Sequence, residues 1–174
     1  EQQLLSHLIS AWPRRNTSRR NQTLLEVGCG PGFFLDFFWR AGFDITGLDA
    51  SPAMVAASEK RLGKRADLHI GQGAHLPFHD KEFDFVALLT LLEFTDEPEA
   101  ILKEAARVAR KGILVSFLNR FSFYYLGSGL PIPLLKQTTL RSVGWHTPWS
   151  MKRLLVDSLP QAEIVSRSVL PCPM

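Results

Sequence analysis

The residues best suited to chemistry lie in one stretch, LLEVGCGPGFFLDFFWRAGFDITGLD at 24 to 49, where two acids, Glu26 and Asp49, flank a turn built from Gly28, Cys29, Gly30, Pro31 and Gly32. Closely spaced glycines permit positive φ and remove the Cβ atoms that would keep a ligand away from the backbone. An acid at the C-terminal end of a strand sits where open α/β sheets bind ligands. The pattern implies a small-molecule cofactor site of nucleotide type. Cys29 has no sequence neighbour that would lower its pKa, so it reads as a small packing residue in the turn rather than a nucleophile.

The elements that must position these groups follow from local patterning. Leu24, Leu25 and Val27 make a short apolar run suited to a buried parallel strand. Pro31 suits the first turn of a helix, and Phe33, Phe34, Phe37 and Phe38 recur at helical spacing, as an apolar face against a sheet should. The whole chain predicts helix 2 to 12, strand 23 to 27, helix 31 to 41, strand 44 to 48, helix 52 to 63, strand 66 to 71, strand 83 to 89, helix 97 to 110 and strand 113 to 118. A further helix at 149 to 158 and a strand at 162 to 169 complete the reading. Such alternation means an α/β fold with a mostly parallel sheet and helices on both faces. Arg107, Arg110 and Lys111 are read as favourable charges at the end of the 97 to 110 helix.

Two cofactor chemistries compete for the glycine turn. A dinucleotide fingerprint needs glycine at its sixth position, where Phe33 stands, and that bulk opposes close packing of helix on strand, so NAD is the weaker reading. The run EVGCGPG at 26 to 32 instead resembles motif I of the class I S-adenosylmethionine (SAM)-dependent methyltransferases. GLDAS at 47 to 51 is similar to that family's second motif, GQGAHLPFHDKEFDFV at 71 to 86 to its third, and ILKEAARVARKGILVS at 101 to 116 to the helix and strand that follow. Four motifs in order are far more specific than one glycine pattern. The resemblance, to the small-molecule type 11 group, implies a three-layer Rossmann-like sandwich, SAM as cofactor and S-adenosylhomocysteine as product.

It also implies roles. Gly28 and Gly30 would bring backbone to the methionine part of SAM, with Cys29 in the same loop. Glu26 would help hold the ammonium group by charge-assisted hydrogen bonding. Asp49, followed by Ala50, would accept from both ribose hydroxyls. Gln72 stands where the family usually has aspartate, and its amide oxygen can still accept from the adenine amino group. Gly73 and Ala74 would offer backbone to the ring edge, and Leu89 a backbone carbonyl to the ammonium group. The bland alternatives are a solvated strand-end acid for Glu26 and a helix N-cap for Asp49.

Composition bounds the rest. The chain has 174 residues, 45% hydrophobic and 21% charged, which suits one domain over 1 to 174 with a sizeable core. No apolar run is long enough to span a membrane and no secretory signal is visible, and Cys29 and Cys172 make no disulfide framework, so the cytoplasm is the expected compartment. A net charge of +3 is too small to imply nucleic acid. Arg14, Arg15, Arg19 and Arg20 read as a solvated linker, with RNA modification a minor alternative. His69, His75 and His79 match no metal-ligand spacing, and no metal is expected.

Residues 119 to 147 are aromatic, rich in glycine and proline, and poorly periodic, and read as a lid or insertion. The closing C-terminal hairpin of the family is expected to be incomplete. The activated methyl group needs an aligned acceptor more than a protein side chain, so transfer is expected by in-line displacement to a small-molecule acceptor. A base is needed only for a protonated nucleophile. Glu93, Tyr124, Tyr125 and His146, with Thr90 beside them, are the candidates, and each also has a plain structural role open to it. A SAM-binding regulatory protein without turnover and an NAD-linked oxidoreductase remain the alternatives from other classes.

Overall fold

The computed structural model describes Ile9, residues 22 to 121 and residues 144 to 165. The helix expected at 2 to 12, the arginine run, Tyr124 and Tyr125 therefore lie outside the described residues, apart from Ile9. The elements are β1 (Thr23–Val27), α1 (Phe33–Arg40), β2 (Asp44–Asp49), α2 (Pro52–Leu62), β3 (Ala66–Ile70), β4 (Phe83–Leu89), α3 (Pro98–Val108), β5 (Ala109–Ser116) and α4 (Pro148–Ser158), with short 3₁₀ turns at Gly63–Arg65 and Leu92–Phe94. All five strands are parallel in the order β3-β2-β1-β4-β5. β1 lies at the centre and the chain winds outward from it in both directions. The C-terminal ends of β1 and β4 thus form the topological switch point, where such sheets bind ligands.

Side-chain alternation along the strands feeds two cores. In β4, fully buried from Phe83 to Leu89, Phe83, Val86 and Leu88 face a core completed by Ile101, Leu102, Ala105 and Val108 of α3 and Met151 of α4. Phe85, Ala87 and Leu89 face the other, with Leu35 and Phe38 of α1, Phe43 and Leu62. In that second core Phe38, Phe43 and Phe85 meet edge to face, at centroid separations of 6.2 and 6.0 Å.

Three local expectations are corrected. Phe33 is 57% exposed, with the Arg61 guanidinium 3.8 Å from its ring centroid, while Leu35 and Phe38 supply the fully buried positions of α1. The bulk of Phe33 therefore does not obstruct packing of helix on sheet. α3 ends at Val108, and β5 begins at Ala109 rather than 113. Arg110 and Lys111 belong to that strand and pair with Asp84 at 3.4 and 2.9 Å. Asp84 also accepts from the Thr23 amide and donates its own amide to Thr23 Oγ1, which fixes the register of β1 on β4 at the end of the sheet away from the switch point. Residues 162 to 165, the described part of the expected last strand, are not in a strand.

Truncating Phe43 to alanine should remove a ring that contacts both Phe38 and Phe85. The expected loss is about 3–5 kcal/mol, read as a lower urea midpoint with an unchanged m-value.

Candidate functional site

The site begins where β1 ends. Gly28, Gly30 and Gly32 have φ of 72, 52 and 76°, a run of left-handed conformations that side chains resist. The turn is tied to β2 by the Gly28 and Cys29 amides, which both donate to the Leu48 carbonyl at 2.7 and 3.1 Å. The three glycines are needed for different reasons. A Cβ on Gly28 would lie 2.6 Å from Leu91 Cδ1, in the turn after β4, and one on Gly32 would strike Ser58 of α2. A Cβ on Gly30 would meet nothing within 4 Å. Of these three, Gly30 alone leaves open space beside its backbone.

Asp49, at the end of β2, gathers the surrounding loops. Its Oδ2 accepts from the Gly30 amide and its Oδ1 from the Ser51 amide, each at 2.8 Å. Its backbone carbonyl accepts from Gly71 at 3.0 Å. The N-cap of α2 is Ser51, so Asp49 serves the turn that precedes that helix rather than capping it. One lone pair remains on each carboxylate oxygen.

Glu26 is 1% exposed, inside the sheet beneath these loops, and its Oε2 has no hydrogen-bond partner among the described residues. Burial raises its pKa well above the carboxylate range, and the nearby negative charge of Asp49 adds to the rise. The same surroundings push the Cys29 thiol up to about 12, chiefly through burial and then through Glu26 and Asp49, which makes it inert as a nucleophile at neutral pH.

The loop after β3 carries Gln72, which is exposed, and Gly73 and Ala74, which are half-buried. A Cβ on Gly73 would lie 3.0 Å from Val27 Cγ1, so the backbone runs close over the end of β1. Arg107 of α3 holds the following segment down. It bonds the carbonyls of Leu76 and Phe78 and the carboxylates of Asp80 and Glu104, and Glu104 in turn accepts from the Leu76 amide. The Arg107 hydrogen bonds hold the Glu104 carboxyl down at about 2. The sequence showed Arg107 as a helix-end charge and gave no sign of this loop-fastening role, because its partners lie 27 to 31 residues earlier.

The far side of the site is the end of β4 and β5. Leu89 is buried at the last position of β4, in register with Ser116. Thr90 follows with φ 51°, and its amide donates to the Ser116 carbonyl at 3.1 Å. Glu93 is 4% exposed, which excludes the solvated loop acid that its sequence context allowed. His146 is half-buried, and desolvation lowers its pKa. The geometry brings Glu26, Gly28, Cys29, Gly30, Asp49, Ala50, Gln72, Gly73 and Ala74 around the ends of β1 to β3, and Leu89, Thr90, Glu93 and His146 around the ends of β4 and β5. No metal-binding group of three acids, histidines or cysteines occurs among the described residues, and no helix among them is long and apolar enough to cross a membrane.

A parallel sheet with a glycine turn and an acid at the end of β2 defines a nucleotide-type α/β enzyme site. Residues 25–117 match the family model of the methyltransferase domain, and the chain belongs to that family. It is similar to a phosphatidylethanolamine N-methyltransferase of Cereibacter sphaeroides, with 30% identity over 172 residues, 92% of this chain and 81% of that protein. A ubiquinone biosynthesis O-methyltransferase of Aromatoleum aromaticum is 27% identical over 171 residues, covering 92% and 73%. Among solved structures, a SAM-dependent methyltransferase of Thermotoga maritima, a possible histamine N-methyltransferase, shares the fold with a TM-score of 0.67 at 24% identity, covering 88% of this chain and 68% of that one. The chain is a SAM-dependent methyltransferase of the class I fold, and S-adenosylmethionine is its cofactor. The residues present suit that group: a buried acid with an unpartnered oxygen, open space at Gly30, and two lone pairs left on Asp49.

The raised pKa of Glu26 has a stability consequence. The folded protein keeps this proton to higher pH than the unfolded chain, so its contribution is full below the ordinary carboxylate pKa of about 4.3 and is lost as pH rises through the folded value. In the absence of SAM, Glu26→Gln should therefore melt above wild type at neutral pH, with a flatter pH dependence above about 4.3 in differential scanning calorimetry. A variant that melts below wild type at pH 7 would contradict the assignment.

Proposed function

We propose that this methyltransferase acts on a small or amphipathic organic acceptor, bound at the ends of β4 and β5 beside a cofactor held at the ends of β1 to β3. The observation that carries the reading is the meeting of Glu26, Gly30 and Asp49 at the ends of β1 and β2, with the exposed rings of Phe94 and Phe121 on the segments that follow β4 and β5. The named relatives act on a phospholipid amine and in quinone biosynthesis, and both kinds of acceptor fit that class.

When bound, SAM supplies a methyl group already activated by its sulfonium. The protein's task is then alignment, which can lower the barrier by several kcal/mol without a covalent step. Asp49 would use its remaining lone pairs for the two ribose hydroxyls, held in place by Gly30 and Ser51. Glu26 would face the ammonium group, and a cation there would draw off the proton that burial otherwise holds on its carboxyl. Gln72 would accept from the adenine amino group, with Gly73, Ala74 and the Leu89 carbonyl at the edges. Cys29 and Ala50 would contribute backbone only.

For a protonated acceptor, His146 is a better base than Glu93 among the described candidates. Desolvation favours its neutral imidazole, whereas burial raises the pKa of Glu93 and so disfavours its basic carboxylate form.

Titration calorimetry with SAM, followed by a screen for S-adenosylhomocysteine release over catechols, primary amines and phosphatidylethanolamine, tests the proposal. Release only with a protein or RNA acceptor would overturn it. Asp49→Ala should weaken SAM binding by about 2–3 kcal/mol, roughly 30- to 150-fold in Kd. Gln72→Asp should bind SAM as well as wild type or better, and a large loss in the same titration would displace Gln72 from the adenine site.

A further inference from the structure

Glu93 lies on the Leu92–Phe94 turn, three residues past Thr90, and every polar atom it uses reaches a different part of the chain. Its Oε1 accepts from the Leu118 amide, just beyond β5. Its backbone carbonyl accepts from the Gly144 amide at 3.0 Å, on the approach to α4. Its Oε2 is buried and has no partner among the described residues. Burial raises its pKa above the ordinary carboxylate value.

The two segments that Glu93 touches are bonded to each other. The His146 amide donates to the Leu118 carbonyl at 3.2 Å and the Arg120 amide to the His146 carbonyl at 2.9 Å, a short parallel bridge between Asn119 and His146. Each strand of this bridge then presents an aromatic ring. On one side, Asn119 Oδ1 accepts from the Phe121 amide at 2.9 Å. On the other, Thr147 and Ser150 form a reciprocal capping box that fixes the first turn of α4, which carries Trp149. Phe121 and Trp149, 66% and 71% exposed, meet edge to face with centroids 5.7 Å apart. Two large exposed rings held against each other by bridged and capped backbone make a built surface rather than scattered exposure.

We propose that Glu93 is a positioning residue: its carboxyl and backbone carbonyl lock the turn after β4 to the segments at 118 and 144, and so present Phe121 and Trp149 as an aromatic wall for an acceptor with a flat or apolar body. This rests on the placement of the acceptor at the ends of β4 and β5 proposed above. Glu93 touches no reacting atom in this scheme. The hydrogen bonds that build the wall run from Glu93 to Leu118 and Gly144 and between the segments at 118 to 121 and 144 to 150, while the turn after β4 meets the cofactor loop through apolar packing of Leu91 beside Gly28.

Backbone amide exchange followed by NMR, with SAM titration of the same samples, tests the idea in three proteins: wild type, Glu93→Leu and Glu93→Gln. Leucine cannot accept from Leu118, so exchange at Leu118, Gly144 and His146 should rise at least tenfold while the SAM Kd stays within about twofold. Glutamine keeps the accepting oxygen and the shape of the side chain, and should return exchange to within about threefold of wild type. Unchanged exchange in Glu93→Leu would overturn the proposal. So would glutamine failing as leucine does, which would make charge rather than hydrogen bonding the essential property, or a parallel fall in SAM affinity. If wild type itself fails to bind SAM, the functional reading falls, while the exchange comparison still decides whether Glu93 holds the rim. If Glu93→Leu does not fold, the glutamine variant with Phe121→Ala added gives a second test: protection at Leu118 and His146 should persist, since the rings depend on the bridge and not the reverse, and its loss would overturn the order of dependence.

Discussion

Three loops distant in sequence converge on Asp49. Its carboxylate holds the glycine turn after β1 through Gly30 and the start of α2 through Ser51, and its carbonyl holds the loop after β3 through Gly71. Each bond satisfies a backbone amide at the mouth of the sheet, where no neighbouring strand is available to do so. Without the acid at this position the loops would lose their common reference point, and the open space beside Gly30 would have no fixed boundary. The same residue thus joins the ends of β1, β2 and β3 into one frame.

The opposite end of the sheet is fastened by other means. Asp84 clamps β1 to β4 through Thr23 and draws Arg110 and Lys111 of β5 alongside. Register in a parallel sheet is otherwise set only by which side chains face which core. Polar fixing at the closed end leaves the switch-point end to loops that strand pairing does not shape. Arg107 extends this arrangement by pinning the segment from Leu76 to Asp80 onto α3.

Much of this was legible in the sequence because the governing signals are local. The strand, glycine turn, helix and second strand from Leu24 to Asp49 follow from short-range patterning, and the order of strands and helices gave the α/β class. What could not be read depends on partners far along the chain. Phe33 has the same local spacing as Phe38, yet Arg61 draws it outward while Leu35 takes the inward position. Ala109 to Lys111 continue a helical charge pattern in sequence, but Phe83 and Asp84 recruit them into β5. Glu93 has the look of a surface acid until Leu118 and Gly144, 25 and 51 positions later, close over it. In each case a tertiary contact overrides a pattern that was locally sound.

The contact between Leu91 and the space beside Gly28 has a consequence for how this chain can change over generations. The missing methyl at Gly28 is already filled by a neighbour from another strand's turn, and the backbone there stands at φ 72°. A lineage that shortened Leu91 would remove the clash but keep the backbone strain, and one that altered Gly28 first would meet both at once. A side chain at Gly28 would therefore face two separate obstacles, a leucine 63 residues away and its own backbone, and shortening Leu91 would lift only the first.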